Sequence, residues 1–122
     1  MLLDTYAWIE FFNGTEKGVK VKQLLKEKAC FTSAICLAEL SEWIERNNID
    51  RNSKMNAVKN LSSIIGLDQQ TLELAGILKI KKRKTAKGFG LIDAIILATA
   101  KQYRLKIVTG DKHFKEENAI LL

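Results

Sequence analysis

An α/β domain with a mostly parallel sheet is the fold class that the sequence predicts, and three observations favour it. Short apolar runs that suit buried strands alternate along the chain with longer segments that have helical periodicity. The chain has 122 residues, and 47% of them are hydrophobic, so we expect one domain over residues 1–122 with an ordinary core. No apolar run approaches the ~20 residues that a membrane span needs, so no membrane association is expected.

The strands are assigned to short apolar runs, each bounded by an acid, a hydroxyl or a turn-forming residue. The first run ends on Asp4, the second leads into Thr32, and the fourth leads into Gly110. In chain order, the predicted strands are Met1–Asp4, Ala29–Phe31, Ser63–Leu67, Leu105–Thr109 and Ala119–Leu122. Their alternation with helices indicates a layered structure.

The helices are assigned from apolar residues at three- and four-residue spacing, with polar caps at their ends. Gly14 closes the first helix, Thr32 or Ser33 caps the third, and Asp68 caps the fifth. Leu61, at the end of the fourth helix, is expected to face the core. In chain order, the predicted helices are Thr5–Asn13, Lys17–Lys28, Ala34–Asn47, Arg51–Leu61, Gln69–Lys84 and Gly90–Arg104.

The sixth predicted helix is almost wholly apolar in its first three turns and carries one charge there, Asp93. Asp93 shares a helical stripe with Ile96, Leu97 and Ala100, so its carboxylate lies at the edge of the core. A carboxylate in that position needs a cation, a set of hydrogen-bond donors or a bound metal. The competing interpretation is that Asp93 only caps the helix that starts near Gly90.

Three further acids are placed where they can meet Asp93. In parallel sheets the reactive site lies beyond the carboxyl ends of the strands, where the strand order reverses. Asp4 closes the first strand and Asp111 follows the fourth by two residues, so the two acids face one crevice if these strands are neighbours. Glu39 leans into the apolar face of the third helix. The alternatives are a helix cap for Asp4, a lysine partner for Glu39 and a turn role for Asp111.

Four clustered carboxylates demand a cation. Two carboxylates ~4 Å apart repel by roughly 4 kcal/mol at an effective dielectric constant near 20. A divalent metal removes that cost, and ligands that are all oxygen select Mg²⁺ or Mn²⁺. Such an ion activates water and stabilises charge on a phosphate, so the pattern indicates phosphodiester hydrolysis.

Four short segments resemble the PIN-domain nucleases, and most closely the VapC-type toxin ribonucleases of toxin–antitoxin pairs. They carry an apolar strand ending in Asp-Thr, a Thr-Ser pair before Ala-Glu-Leu, an Asp-Ala helix start and a Thr-x-Asp turn before Phe. The segments are Met1–Phe12, Thr32–Leu40, Asp93–Ala100 and Ile107–Phe114. They follow the order in which the family has them and extend over nearly the whole chain.

The resemblance implies a five-stranded parallel sheet of order 3-2-1-4-5 between helical layers. It also implies an acidic quartet that is both catalytic and metal-binding, and that holds one or two Mg²⁺ or Mn²⁺ ions. The quartet would consist of Asp4, Glu39, Asp93 and Asp111. The hydroxyls of Thr5 and Thr109 would position a ligand carboxylate or a water.

Partners also follow from the resemblance: an RNA substrate, a small antitoxin protein that covers the site, and a second copy of the chain. Trp8, Phe12 and Trp43 are candidates for the apolar patch that such a partner would cover. One departure from the family concerns His113, where members often have another acid. An exposed loop histidine is favoured there over a contact with phosphate. Glu42 is interpreted as a solvated partner of Arg46.

The charge of the chain is compatible with RNA. Twenty Lys and Arg residues against fourteen Asp and Glu give a net charge of +6, and a basic surface attracts phosphate polymers. The densest basic cluster leads directly into the helix of Asp93, and its candidate RNA-binding residues are Lys82, Arg83, Lys84 and Lys87. The alternative is a solvated helix end.

Two other readings concern compartment and function class. Cys30 and Cys36 are expected to be buried thiols of a cytoplasmic protein, although a disulfide is possible. With His113 as the single histidine, no zinc site is expected. The main functional alternative is a non-catalytic PIN-like module that binds RNA or a partner. A phosphoacceptor receiver domain is disfavoured because Asp4 stands alone at its strand end.

Overall fold

Five parallel strands form the sheet at the centre of the computed structural model, which describes residues 1–122. The strands are β1 (Leu2–Leu3), β2 (Phe31–Ser33), β3 (Ser63–Ile65), β4 (Ile107–Thr109) and β5 (Ala119–Leu121). Across the sheet their order is β3-β2-β1-β4-β5, and every neighbouring pair is parallel. The order 3-2-1-4-5 that the resemblance implies is therefore confirmed, and β1 is the central strand.

Six α-helices cover the sheet, because parallel neighbours cannot be joined by a tight turn. They are α1 (Thr5–Asn13), α2 (Glu16–Glu27), α3 (Ala34–Arg46), α4 (Arg51–Leu61), α5 (Gln69–Lys82) and α6 (Leu91–Tyr103). A short 3₁₀ turn, Lys112–Phe114, stands between β4 and β5. The helices lie where the sequence predicts them, and only their ends differ, by one or two residues.

The side chains of β1 divide the core into two layers, one on each face of the sheet. Leu2 packs into a cluster with residues of α5 and α6, whereas Leu3 packs into a second cluster with residues of α1 and α2. Ile107 and Val108 of β4 repeat this division, since successive side chains of a strand point to opposite faces. The expected three-layer α/β/α arrangement is the result.

The second strand begins two residues later than predicted, at Phe31 and not at Ala29. Thr32 pairs within the sheet because its buried hydroxyl has two partners. It accepts a hydrogen bond from Trp8 Nε1 at 3.0 Å and lies 2.7 Å from Ser62 Oγ. These partners remove the free-energy cost of a polar group in the core. Both are distant along the chain, so the local sequence favoured a helix cap instead.

Two apolar residues are placed differently from their prediction. Leu61 is 44% exposed, because α4 ends there beside β3, which is an edge strand. Trp8 is completely buried and so cannot belong to an exposed patch, and Phe12 stacks on Trp43 with ring centroids 6.1 Å apart. Five of the exposed large hydrophobic residues lie instead on α5 and on the first turn of α6. They are Leu72, Ile77, Ile80, Leu91 and Ile92.

Cys30 and Cys36 are both buried and both free thiols, as predicted. They belong to core clusters on opposite faces of the sheet, which keeps the two sulfur atoms apart. None of the helices has the length and apolar character needed to pass through a lipid bilayer.

Candidate active site

A pocket of about 280 Å³ opens beside β1 and β4, where both strands end. The chain leads from β1 to β2 on one side of the sheet and from β4 to β5 on the other, so the pocket lies where the strand order reverses. Its lining residues are Asp4, Thr5, Tyr6, Ile9, Glu39, Asp93, Ile96 and Asp111. All four acids singled out in the sequence therefore line one pocket.

Asp4 lies at the floor of this pocket and is the most buried of its carboxylates, with 6% of its surface exposed. Its Oδ1 accepts the Ala7 N–H at 2.8 Å and so caps α1, which agrees with the alternative interpretation of Asp4 as a helix cap. The pKa of Asp4 is raised to about 7, chiefly because the carboxylate is buried and also because the charges of Glu39 and Asp111 lie nearby. Hydrogen bonds from the Thr109 side chain and the Ala7 N–H oppose that rise. Burial thus favours the protonated form of Asp4 relative to an exposed aspartate.

Glu39 reaches the pocket from α3 and is held by Thr5, whose Oγ1 donates to Glu39 Oε1 at 2.6 Å. This contact joins the residue after Asp4 to the second acidic segment, across 34 positions of sequence. Cys36, one turn before Glu39, is buried beside the pocket. Burial raises the pKa of its thiol to about 12, so Cys36 packs as a neutral group.

Asp93 stands at the start of α6, where its Oδ2 accepts the Gly90 N–H at 3.0 Å. The capping alternative is therefore real, yet the same carboxylate also lines the pocket. Burial raises the pKa of Asp93, and the neighbouring Asp111 raises it too, while the Gly90 N–H and His113 act in the opposite direction. The two roles are compatible, because a cap needs only one of the two carboxylate oxygens.

Asp111 is oriented by the turn that follows β4. Its backbone N–H donates to Thr109 Oγ1 at 2.9 Å, and its Oδ1 accepts the His113 N–H at 2.9 Å. The His113 ring also reaches back, with Nδ1 3.1 Å from Asp111 Oδ1. The prediction of an exposed loop histidine is therefore wrong: the ring is partly buried, packs edge-on against Phe89 and contacts a pocket carboxylate. The partner that causes this, Phe89, precedes α6 and is remote in sequence.

Tyr6 lines the pocket and was not among the site residues predicted from the sequence. Its ring lies so close over Gly110 that a Cβ atom there would meet it at 2.1 Å. Its hydroxyl accepts a hydrogen bond from Lys17 Nζ at 2.9 Å. Helical periodicity is the signal that was available, since Tyr6 and the buried Trp8 are two residues apart and so lie on nearly opposite faces of α1.

The family model for the PIN domain matches residues 1–118 of the chain. The chain belongs to the PIN domain family. That match agrees with the resemblance found in the sequence, and it spans all four acidic segments. A search of curated proteins finds no match to this PIN domain.

Solved structures resemble this PIN domain over nearly its whole length. A chain of a toxin–antitoxin complex from Klebsiella pneumoniae is 26% identical, with a TM-score of 0.78 and coverage of 98% of this chain and 94% of that chain. VapBC2 from Rickettsia felis, bound to promoter DNA, is 22% identical with a TM-score of 0.75, covering 99% and 96%. Mycobacterium tuberculosis VapC20, a toxin that cleaves the sarcin-ricin loop, is 18% identical with a TM-score of 0.75, covering 99% and 97%. The likenesses below 25% identity concern the fold.

The donor set of the PIN-domain pocket fits a hard divalent cation. Its charged groups are all carboxylates, the ligands that hard cations prefer, and the raised pKa of Asp4 reflects its burial beside Glu39 and Asp111. As the side chains lie, no three of them are close enough together to enclose an ion. Like charges separate when nothing neutralises them, and each acid is held by a local hydrogen bond. Ion binding would therefore have to draw the carboxylates together.

The four basic residues predicted to bind RNA occupy the end of α5 and the loop after it. Lys82 is the most buried of them, with a side chain 14% exposed and its Nζ 3.2 Å from Glu117 Oε1. Arg83 donates to the Lys87 carbonyl at 3.1 Å, which folds the loop back on itself, and Lys84 is exposed. Glu42 pairs with Arg46 on the surface of α3, as predicted.

Proposed function

We propose that this PIN domain is a metal-dependent endoribonuclease that hydrolyses RNA phosphodiester bonds and acts as the toxin of a toxin–antitoxin pair. The observation that carries the proposal is the single pocket lined by four carboxylates at the switch point of the sheet. The alternative, a non-catalytic module for RNA or protein binding, gives no reason for burying an acid with a pKa of about 7 among other acids. Such a cluster lowers the stability of the empty fold.

The protein's contribution to catalysis is to hold ligands and shape the pocket. Asp4, Glu39, Asp93 and Asp111 would hold one or two Mg²⁺ or Mn²⁺ ions, which when bound activate water and stabilise charge on the phosphate. Thr5 fixes the rotamer of Glu39 through a 2.6 Å hydrogen bond. The Thr109 side chain hydrogen-bonds the Asp4 carboxylate and accepts the Asp111 backbone N–H at 2.9 Å, so one hydroxyl links the two acidic segments.

The proposed catalysis is tested by comparing two glutamates one turn apart on α3. Glu39→Gln is expected to lower Mn²⁺-dependent RNA cleavage by more than about 100-fold, because losing even an outer contact of a metal ligand costs about 10- to 100-fold. Glu42→Gln is the matched control, since Glu42 pairs with Arg46 outside the pocket. Calorimetry with Mn²⁺ should show weaker binding for the first variant only. Full cleavage in EDTA would contradict the proposal.

An antitoxin partner is supported by the solved neighbours, several of which are toxin–antitoxin complexes. The expected partner is a small protein that covers the acidic pocket and so blocks RNA. Co-expression with the product of a short adjacent reading frame should yield a complex that no longer cleaves RNA. If the complex cleaved RNA as fast as the free protein, the proposed toxin role would be contradicted, whereas the proposed nuclease activity would not.

Self-association is a further part of the proposal, and it is supported by the exposed apolar group on α5 and α6. Ile77 and Ile80 are 60% and 67% exposed on α5, which packs beside α6 and its exposed Leu91. A second copy would bury this group. Ile80→Lys is expected to shift a dimer to monomer in sedimentation experiments, whereas Val19→Lys, on the equally exposed surface of α2, should not. A monomeric wild type would exclude the dimer.

A further inference from the structure

A second cleft, of about 180 Å³, opens on the other side of His113 from the acidic pocket. Lysines from two separate segments line it: one at the end of α5 and two on the 3₁₀ turn after β4. Its lining residues are Lys82, Thr85, Ala86, Lys112, His113, Lys115 and Glu116. The cleft thus places three ammonium groups and one carboxylate beside a pocket whose charged groups are all carboxylates.

His113 is the wall between the two cavities. Its Nδ1 faces Asp111 Oδ1 at 3.1 Å, while its ring forms part of the cleft. The ring is fixed by close packing, because a Cβ atom on Gly88 would approach its Cε1 to 2.8 Å, and Phe89 meets it edge-on at 6.4 Å between centroids. The cleft and the acidic pocket therefore adjoin through the contact of His113, which lines the cleft, with Asp111, which lines the pocket.

The lysines of the cleft differ in what they contact. Lys82 is tied to Glu117, which also pairs with Lys101 at 3.4 Å, so it serves as a fixed positive charge at the base. Lys112 and Lys115 are exposed and form no ion pair within the chain. Glu116 is the one acid that lines the cleft. Lys112 and Lys115 are therefore available as cationic hydrogen-bond donors, which an anion-binding site requires.

We infer that this cleft is a subsite for a backbone phosphate of single-stranded RNA, adjacent to the phosphate that is cleaved. The inference rests on the proposed function for the identity of the substrate. A strand whose scissile phosphate lies at the carboxylates must continue past His113, and the cleft offers its next phosphate two lysine ammoniums and the Thr85 hydroxyl. A positively charged groove that follows the backbone is how proteins hold single strands without reading sequence.

The subsite also explains how an acidic pocket can take a polyanion. Before a metal binds, the four carboxylates repel phosphate, so the attraction must come from charge placed nearby. The cleft supplies that charge one side chain away, on the same turn that carries Asp111. Arg83 and Lys87, which the sequence also favoured, are not part of its lining, and they bond to each other through a backbone carbonyl. Lys112 and Lys115 are therefore the residues to test.

The experiment measures binding of a 5′-labelled 12-nucleotide single-stranded RNA to the full chain by anisotropy in EDTA, over a series of salt concentrations. Lys112→Gln/Lys115→Gln is expected to weaken binding about tenfold and to flatten the slope of log K against log salt by about 0.7, the value for one phosphate contact on a single strand. Lys20→Gln/Lys26→Gln on α2 removes the same charge from an exposed helix and is the matched control. Glu116→Gln should strengthen binding.

A second measurement locates the bound RNA on the protein and does not depend on catalytic activity. On adding the same RNA, the backbone amide NMR signals of Thr85 and of residues 112–116 should shift, and the double lysine variant should lose these shifts while keeping the rest of its spectrum. Equal loss of affinity in both double variants would show that only net charge matters and would overturn the subsite. So would a variant that binds RNA normally but no longer binds the antitoxin.

Failure of the subsite and failure of the proposed catalysis are distinguishable. If the wild type cleaves RNA with Mn²⁺ but the cleft variant binds and cleaves like the α2 control, the subsite is wrong and the nuclease stands. If no RNA is cleaved under any condition but the cleft lysines still set RNA affinity, the cleft is an RNA site in a non-catalytic protein.

Discussion

Replacing Asp4 with asparagine is expected to lower RNA cleavage by about 1,000-fold or more while leaving the fold intact. Asparagine has nearly the same shape, and its carbonyl oxygen can still accept the Ala7 N–H that caps α1 at 2.8 Å. What is lost is the negative charge at the floor of the pocket, which the proposed ion needs. The loss of one group that stabilises developing charge costs about 100- to 1,000-fold, and loss of a metal ligand costs at least that.

The control for this substitution is Asp68→Asn. Asp68 caps α5 through the Thr71 N–H at 2.7 Å, so the two aspartates have the same local role on different helices. Asp68 lies outside the pocket, and its replacement should leave cleavage unchanged. Cleavage that survives Asp4→Asn, or falls equally in both variants, would show that the aspartate acts as a helix cap and not as part of a catalytic centre. Circular dichroism of both variants checks the fold.

The second large effect concerns stability and pH: the metal-free protein is expected to be more stable at pH 5 than at pH 8. The pKa of Asp4 is about 7 in the folded chain, against an ordinary value of 3.8. Between these values the folded state holds a proton that the unfolded state has released, so the free energy of unfolding falls as pH rises. Asp93 acts in the same direction, since burial raises its pKa as well. Between pH 5 and pH 8 the contribution of Asp4 is about 3 kcal/mol, because about two pH units separate pH 5 from its pKa of about 7, at 1.36 kcal/mol per unit.

Urea unfolding in EDTA at pH 5 and pH 8 measures this difference. Asp4→Asn should remove most of the pH dependence and should be more stable than the wild type at pH 8, because the uncompensated buried charge is gone. The lowered pKa of Asp68 works in the opposite direction, but its effect falls below about pH 4 and so outside the range. Mn²⁺ at pH 8 should restore stability to the wild type only. A wild type that becomes more stable between pH 5 and pH 8 would contradict the assignment.

Much of the fold was predictable because its signals are local. Each strand is a short apolar run, and the caps Asp4 and Asp68 mark the starts of α1 and α5 in the sequence itself. The strand order came from the family resemblance and agrees with the structure. β2 was misplaced because the hydroxyl of Thr32 finds its partners in Trp8 and Ser62, and side-chain satisfaction across the core has no local signal.

The surroundings of the pocket were predictable only in part. Asp4 and Asp111 follow strands and Asp93 lies in the first turn of α6, which are positions that a sequence pattern marks. Glu39 lies in the middle of α3 and was found through the family resemblance and its place on an apolar helix face. Tyr6 was not among the predicted site residues, although it lines the pocket and its ring lies over Gly110. His113 was expected in an exposed loop, and Lys112 and Lys115 drew no attention beside the denser cluster after α5. Tyr6 stands in the first turn of α1, whereas Lys112, His113 and Lys115 lie on or beside the 3₁₀ turn after β4. The directions of these side chains depend on packing against other elements, which local sequence patterns do not encode.

The sequence alone was sufficient for the fold class, the family and the identity of four acids, because apolar periodicity, caps and strand-end residues are encoded over a few consecutive positions. It did not contain the burial of Asp4, the contact of Thr5 with Glu39, or the imidazole that separates an acidic pocket from a basic cleft. These depend on packing between segments that are distant along the chain, such as Thr5 with Glu39, 34 positions apart. Burial then raises the pKa values of Asp4 and Asp93, and no local sequence pattern reports that burial.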